Sequence, residues 1–184
     1  SATNNIIVLD TINKSIINGH YAEVFREKDS VFITKRAVAI STQEQDSIYI
    51  HADTLMVTGP QENRVIRGFY DTRIFKKDLS GKSDSIVSIQ REGITKLINN
   101  PILWNNKSQI TGDSIFIYGN SKSEKLDSLL VFENAFMIDQ DSAGGFSQVK
   151  GKELLGYFND KNEMQEVNIN KNVENLIYSR DENG

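Results

Sequence analysis

Three aspartates, Asp53, Asp84 and Asp113, are the residues of this chain whose type could carry out a reaction, because paired carboxylates about 5 to 10 Å apart hydrolyse glycosides. Each stands beside a serine or threonine at the start of an apolar run, as in DTLMV, DSIVSI and DSIFI. The same pattern begins at Asp29, Asp46 and Asp127. Catalytic residues are normally unique in a chain, whereas aspartates at turns and bulges bond to nearby backbone groups. We therefore expect a structural role for these aspartates and no enzymatic activity.

The remaining chemically active residue types are too few or too scattered to form a site. His20 and His51 are the only histidines, and neither belongs to a group with the spacing of metal ligands. The SGKS sequence at residues 80–83 lacks the first glycine of a phosphate-binding loop, and we expect a turn there. Cysteine is absent, which excludes disulfides and thiolate chemistry. No metal and no cofactor are expected.

Composition restricts the class of partner. The net charge is −4, and the 21 lysines and arginines are dispersed, without the basic stripe that phosphate-backbone binding requires. Nucleic acid is therefore excluded as a partner. No apolar run approaches the roughly 20 residues of a membrane-spanning helix. The 184 residues fit one domain, and we expect residues 1–184 to form a single repetitive unit.

Short apolar segments bounded by Asn, Asp, Gly, Ser or Lys fill the chain, a pattern typical of strands joined by tight turns. Similar segments recur at offsets of roughly 30 to 40 residues, the spacing of repeats that bury an apolar face by stacking. The sequence therefore predicts an all-β, repetitive antiparallel sheet of bent hairpins with little or no helix.

One motif predicts where the strands bend. It reads IHADTLMV from Ile50, ITGDSIFI from Ile110 and VKGKELLG from Val149. Within each copy the apolar alternation changes phase, which would turn side chains to the opposite face unless the strand kinks. A small residue lets the strand bend at that point. The predicted bend residues are Ala52, Asp53, Gly112, Asp113 and Gly151.

A second recurring piece, RAVAIS, NPILWN and NAFMID, precedes the bend motif in each copy. Together the two pieces predict a set of inward-facing apolar side chains. The set comprises Val38, Ile40, Ile48, Ile50, Leu55, Val57, Ile102, Trp104, Ile110, Ile115, Ile117, Phe136, Ile138, Val149 and Leu154.

This interior could be a closed core or an open groove, and the residues alone leave both readings open. Burying an acyl chain stabilises a complex by about 0.8 kcal/mol per methylene, or about 10 kcal/mol for one chain of ordinary length. A charge-assisted hydrogen bond contributes only about 1.5 to 3 kcal/mol. An acidic protein could therefore still bind an anionic lipid through its acyl chains.

The run from Pro101 to Phe158 resembles the OstA-like proteins of the Bacteroidetes group, which are similar to LptA, LptC and the periplasmic domain of LptD. PILWNNKSQITGDSIFIYGN and KLDSLLVFENAFMIDQDSAGGFSQVKGKELLGYF carry the resemblance, and IYIHADTLMV matches the family pattern of an Ala-Asp pair inside a strand. The resemblance implies a folded-over sheet, called a β-jelly roll or β-taco, whose apolar interior binds lipopolysaccharide. Lys152 replaces the motif aspartate in the third copy, and Asn175 interrupts the last apolar alternation.

Location and partners follow from the same resemblance. It implies a periplasmic protein that binds lipopolysaccharide or a related glycolipid and moves it to the outer membrane. A variant of this prediction has the protein itself associated with the outer membrane. It also implies contact with other OstA-like or Lpt-type proteins through edge strands, including head-to-tail self-association. Two alternatives stay open: a β-solenoid scaffold of the cell envelope with a packed interior, and a carbohydrate-active β-helix with unlike acids in one cleft.

Overall fold

Strand is the dominant structure of this chain. The computed structural model describes residues 1–11, 14–42, 47–60, 63–120 and 125–179, so Asp46, which begins one of the aspartate repeats, lies outside the described residues. Within that part of the chain a 3-10 turn lies at Arg26–Lys28, and Asn63 is also in 3-10 conformation. The strands are β1 (Ala2–Asp10), β2 (Ser15–Phe25), β3 (Ser30–Thr42), β4 (Ser47–Thr58), β5 (Val65–Lys76), β6 (Leu79–Ile89), β7 (Ile94–Ile98), β8 (Ile102–Asn105), β9 (Ser108–Thr111), β10 (Ser114–Gly119), β11 (Leu126–Gln140), β12 (Phe146–Phe158), β13 (Met164–Asn170) and β14 (Glu174–Leu176).

These strands form one fourteen-stranded antiparallel sheet in the described residues. The main path runs β1-β2-β3-β4-β5-β6-β7-β10-β11-β12-β13, with β8 and β9 between β6 and β11, and β14 beside β12. Consecutive strands pair because short turns connect them. The predicted all-β, repetitive antiparallel sheet is confirmed.

The sheet folds along one line, which we call the crease. In alternate strands two consecutive non-glycine residues have positive φ, which shifts the pairing register by one residue. A positive φ costs conformational energy in a non-glycine residue, and asparagine is enriched at such positions. The left-handed pairs are residues 4–5, 35–36, 70–71, 99–100, 133–134 and 171–172. The neighbouring strands pass the same line at Gly19–His20, Ala52–Asp53, Ser83–Asp84, Gly112–Asp113 and Gly151–Lys152.

The crease divides the sheet into two halves, leaf A and leaf B, according to the strand pairing on each side of it. Leaf A comprises residues 6–10, 15–18, 37–42, 47–51, 72–76, 79–82, 102–105, 108–111, 135–140, 146–150 and 174–176. Leaf B comprises residues 2–3, 21–25, 30–34, 54–58, 65–69, 85–89, 94–98, 114–119, 126–132, 153–158 and 164–170.

The core lies between the leaves. One cluster of buried apolar residues draws members from both, including Ile50 and Leu103 of leaf A and Leu55, Ile86 and Leu129 of leaf B. The side of the sheet away from the crease is the open edge. There the strand ends of the two leaves face each other, and their side chains make the contacts. The chain is therefore a sheet closed on one side and held by side chains on the other.

Candidate functional site

Backbone hydrogen bonds continue through the crease, so the bend leaves these peptide groups satisfied. The Asp84 N–H donates to the Asn99 carbonyl (3.1 Å), the Asn99 N–H to the Asp113 carbonyl (3.2 Å), and the Asp113 N–H to the Glu133 carbonyl (3.0 Å). The Lys152 N–H extends the row by donating to the Lys171 carbonyl at 2.9 Å. The motif residues thus connect the left-handed pairs of the strands on either side.

Side chains fasten the left-handed pair Glu133–Asn134 from both neighbouring strands. Nδ2 of Asn134 donates to Oδ1 of Asp113 (3.0 Å), and Nζ of Lys152 lies 3.0 Å from Oε1 of Glu133. The hydrogen bond to Glu133, with its negative charge, raises the pKa of Lys152. Lys152 therefore takes the position of the motif aspartate because its crease partner is a glutamate.

The candidate catalytic residues lie outside the leaves. Asp53, Asp84 and Asp113 are exposed at the crease, and Asp84 accepts a hydrogen bond from Oγ of Ser85 at 2.8 Å. Among the described residues no three His, Cys, Asp or Glu side chains group as a metal site. The turn predicted at residues 80–83 is wrong, because these residues belong to β6 and the turn precedes them at Lys77–Asp78.

Nine of the fifteen predicted inward residues face the space between the leaves. Ile48 and Val149 are partly buried and pack against the core. The other seven are buried within it: Ile50, Leu55, Val57, Ile110, Ile115, Ile117 and Leu154.

The inward orientation predicted for the other six residues is wrong. Their strand neighbours occupy the core instead: Ala37 and Ala39, Leu103 and Asn105, and Ala135 and Met137. Alternation then places the six on the outer face of leaf A, namely Val38, Ile40, Ile102, Trp104, Phe136 and Ile138. Beside the crease the leaves approach so closely that alanine, and not its larger apolar neighbour, fills the inner position at residues 37 and 135.

The outer residues form part of an apolar row across leaf A. Register places Ile40 beside Tyr49 and Tyr49 beside Phe75, whose rings are 6.2 Å apart. Further along the same row, Nε1 of Trp104 donates to Oε1 of Gln109 at 3.0 Å. The sole tryptophan therefore lies outside the space between the leaves.

A cavity of about 290 Å³ opens between the leaves at the open edge. Leaf A supplies Ile50 and Ile74, and leaf B supplies Ile66 and Ile117. Lys76 also lines it, and this inward-facing lysine is only 8% exposed. The cavity is thus largely apolar between the leaves, with one buried lysine in its lining.

A second cavity of about 240 Å³ lies next to the first, nearer β1. Ile17 of leaf A and Val57 of leaf B contribute to its walls, and Asp10 and Arg64 stand at its mouth. The two cavities share Ile66 and Gln90 as lining residues. We call the combined space the interleaf groove.

In the part of the chain that the structure describes, two polar bridges join the leaves across the open edge. Near β1, Nε of Arg64 lies 3.7 Å from Oδ2 of Asp10. Near β13, the buried Asn105 donates from Nδ2 to the carbonyls of Asp78 (2.8 Å) and Asn162 (3.1 Å). The first bridge is a long ion pair, whereas the second is a buried pair of neutral hydrogen bonds.

The sequence profile of the family described as LptA/(LptD N-terminal domain) LPS transport protein matches residues 14–123. This match extends over more than half of the 184 residues. The chain belongs to this family. Its members are lipopolysaccharide (LPS) transport proteins, and the matched segment contains the creased strands β2 to β10 and most of the groove lining.

A solved structure of a family member has the same fold. LptH from Pseudomonas aeruginosa is described as the LptA homologous periplasmic component of the conserved lipopolysaccharide transport device. It is similar to this chain with a TM-score of 0.52 and 13% identity, over 58% of this chain and 77% of LptH. No curated protein sequence matches the chain. No helix in the described part of the chain has the length and apolar character needed to cross a bilayer.

Sequence reasoning missed the polar residues of the open edge. Asn105 and Lys76 were not singled out. Asn105 follows the apolar Leu103 by two positions, and Lys76 follows Ile74 by two. Each polar residue therefore shares the face of that apolar residue. The alternation of inward and outward residues along each strand could have identified Asn105 and Lys76 as inward-facing.

Proposed function

We propose that this protein binds the acyl chains of LPS, or of a related glycolipid, in the interleaf groove and passes the lipid through the periplasm towards the outer membrane. The observation that carries the proposal is the apolar cavity open between the leaves of an LPS-transport fold. Acyl burial there contributes about 0.8 kcal/mol per methylene, so a few methylenes exceed the contribution of one polar contact.

The size of the groove implies that the leaves separate further when lipid binds. Its cavities, of about 290 and 240 Å³, each fall below the roughly 300 Å³ at which the range for small-molecule pockets begins. Backbone hydrogen bonds cross the crease on one side of the sheet, whereas in the described residues the side chains of Arg64, Asp10 and Asn105 bridge the open edge. Opening would therefore start at the open edge.

Site-specific photo-crosslinking in intact cells tests this function. A photoreactive residue at position 117 faces the groove, and one at position 116 in the same strand faces outward beside Lys96. We expect LPS to crosslink at position 117 and not at 116. No crosslink at 117, or equal crosslinking at both positions, would rule out carriage in the groove.

Exposed apolar residues on the terminal strands support association with other Lpt-type proteins or a second copy. Ile7 and Leu9 of β1 are each 65% exposed, and Leu176 of β14 is 63% exposed. Unpaired edge strands are ready templates for strand addition. We expect Leu9→Lys and Leu176→Lys to reduce concentration-dependent assembly in sedimentation experiments without a change in the folded monomer. Assembly that these variants leave unchanged would exclude the edges as the contact.

A further inference from the structure

Arg64 holds a buried N–H that has no hydrogen-bond acceptor. Its Nε is buried and unbonded, since Oδ2 of Asp10 lies 3.7 Å away, beyond hydrogen-bonding distance. Buried polar groups are nearly always satisfied, and an exception needs a reason. An unsatisfied donor on a guanidinium group is a strong candidate for binding an anionic oxygen.

The surroundings of Arg64 fix its position at the mouth of the groove. Its Nη1 donates to the carbonyl of Gly59 at 2.5 Å, and its own carbonyl accepts from the Gln90 N–H at 3.2 Å. Gln90 and Ile66 line both cavities of the groove. The guanidinium is therefore anchored on leaf B, with apolar walls directly behind it.

Asp10 approaches the same guanidinium from leaf A. The side chains of Arg64 and Asp10 are 23% and 21% exposed, so water reaches the pair only in part. At 3.7 Å the carboxylate neutralises the charge without making a hydrogen bond to Nε. An anion that reached Nε directly could replace this interaction with a better one.

We propose that Arg64 is the anion-binding residue of the interleaf groove, where it receives the carboxylate or phosphate of an amphiphile whose chain lies between the leaves. Asp10 occupies this place in the empty protein, and the bound anion displaces it and releases the bridge between the leaves at this end. The inference rests on the proposed function, because it requires an acyl chain in the groove.

Equilibrium binding of two fluorescent probes tests the proposal: a fatty acid and the alcohol of the same chain. The full chain should bind the acid more tightly than the alcohol, and Arg64→Gln should lower the affinity for the acid about tenfold with little change for the alcohol. Arg64→Lys keeps the charge and should retain part of the preference. Asp10→Asn removes the competing carboxylate and should strengthen acid binding. Because a folding defect would weaken binding, this gain distinguishes lost recognition from lost structure.

Arg67→Gln is the matched control. Arg67 lies in β5, which begins directly after Arg64, but its Nη1 donates to Oγ1 of Thr58 and it does not line the groove cavities. This variant should bind both probes as the unmodified protein does. Equal loss in Arg64→Gln and Arg67→Gln would overturn the assignment.

The remaining outcomes separate the two proposals. Binding of both probes with equal affinity, unaffected by Arg64→Gln, refutes the anion site and leaves the groove function standing. Binding of neither probe refutes both. Inorganic phosphate in excess should not displace the acid, because it has no chain to bury; displacement that depends on Arg64 would identify a site for free anions and overturn recognition of an amphiphile.

Discussion

Gly112 lies against Val131 so closely that a Cβ at position 112 would overlap Cγ1 of the valine. The same relationship joins Gly19 to Ile33 and Gly151 to Ile169. At the first copy of the motif the sizes are reversed, because Ala52 faces Gly68, whose added Cβ would lie 3.1 Å from that of Ala52. The crease therefore requires one glycine in each such pair, on either strand.

Gly112→Ala should destabilise the fold by about 1 to 3 kcal/mol, the usual cost of overpacking a core. Adding Val131→Ala removes the atom that the new Cβ meets, so the double variant should be more stable than the sum of the single changes predicts. Urea unfolding of the four proteins measures this coupling. Gly156→Ala is a milder control, since its Cβ would lie 3.3 Å from Leu129. Additive effects of the two changes would contradict the proposed overlap.

Lys152→Asp should lower the thermal midpoint, although it restores the aspartate of the motif. The new carboxylate would stand beside Glu133, with which Lys152 now pairs at 3.0 Å. Glu133→Lys in the same protein should recover the midpoint by reversing the pair. Because both groups are exposed, added salt should reduce these differences. A Lys152→Asp protein as stable as the parent would show that the pair has no role in the crease.

The ion pair of Lys152 also predicts a pH dependence. Glu133 raises the pKa of Lys152 above its ordinary value of 10.5, so the folded protein holds this proton more strongly than the unfolded chain. The stabilisation is complete below the ordinary pKa and is lost as the pH rises through the raised one. The difference in thermal midpoint between the parent and Lys152→Met should therefore be constant near neutral pH and shrink above about pH 10.5. A difference that stays unchanged in strong alkali would exclude this linkage.

Asn105→Ala should destabilise the protein by about 1 to 3 kcal/mol, because the carbonyls of Asp78 and Asn162 lose a buried donor. Asn105→Asp should be at least as harmful at neutral pH, since a carboxylate offers acceptors to two carbonyls. Asn168→Ala is the exposed control, where Nδ2 of the amide donates to Oε1 of Glu166 at 2.8 Å. Urea unfolding measures all three, and an Asn105→Ala protein as stable as the control would show that the leaves need no bridge there.

The fold class could be predicted from the sequence because strand alternation, turn residues and the change of phase at Ala52 and Gly112 all agree. The left-handed pairs that form the crease in alternate strands could not be predicted. Left-handed pairs such as Lys35–Arg36 and Tyr70–Asp71 contain residues that rarely adopt positive φ, so only the paired asparagines at 4–5 and 99–100 provided a local indication.

The face of each strand was predictable only where one side is polar. Around Ala39, and again around Leu103, apolar residues occupy both faces, so alternation does not show which side is the core. The size of a residue does not indicate the core face either, since alanine fills the narrow space near the crease and larger residues lie outside. The polar bridges of the open edge depend on residues far apart in sequence, such as Asn105 and Asn162, which no local pattern joins.

Trp104 provides a direct test of this face assignment, because it is the only tryptophan and its indole contacts Gln109 on the outer face of leaf A. Lipid entering the interleaf groove should leave its emission unchanged, while acrylamide should quench it with or without lipid. A Trp104→Phe, Ile117→Trp protein moves the indole into the groove lining, where lipid should shift the emission to shorter wavelength and protect it from acrylamide. If lipid shifted the emission of the unmodified protein as strongly, Trp104 would face the groove and the outer position of the six residues would be wrong. The pair of proteins thus reports on one ligand from the two opposite sides of the folded sheet.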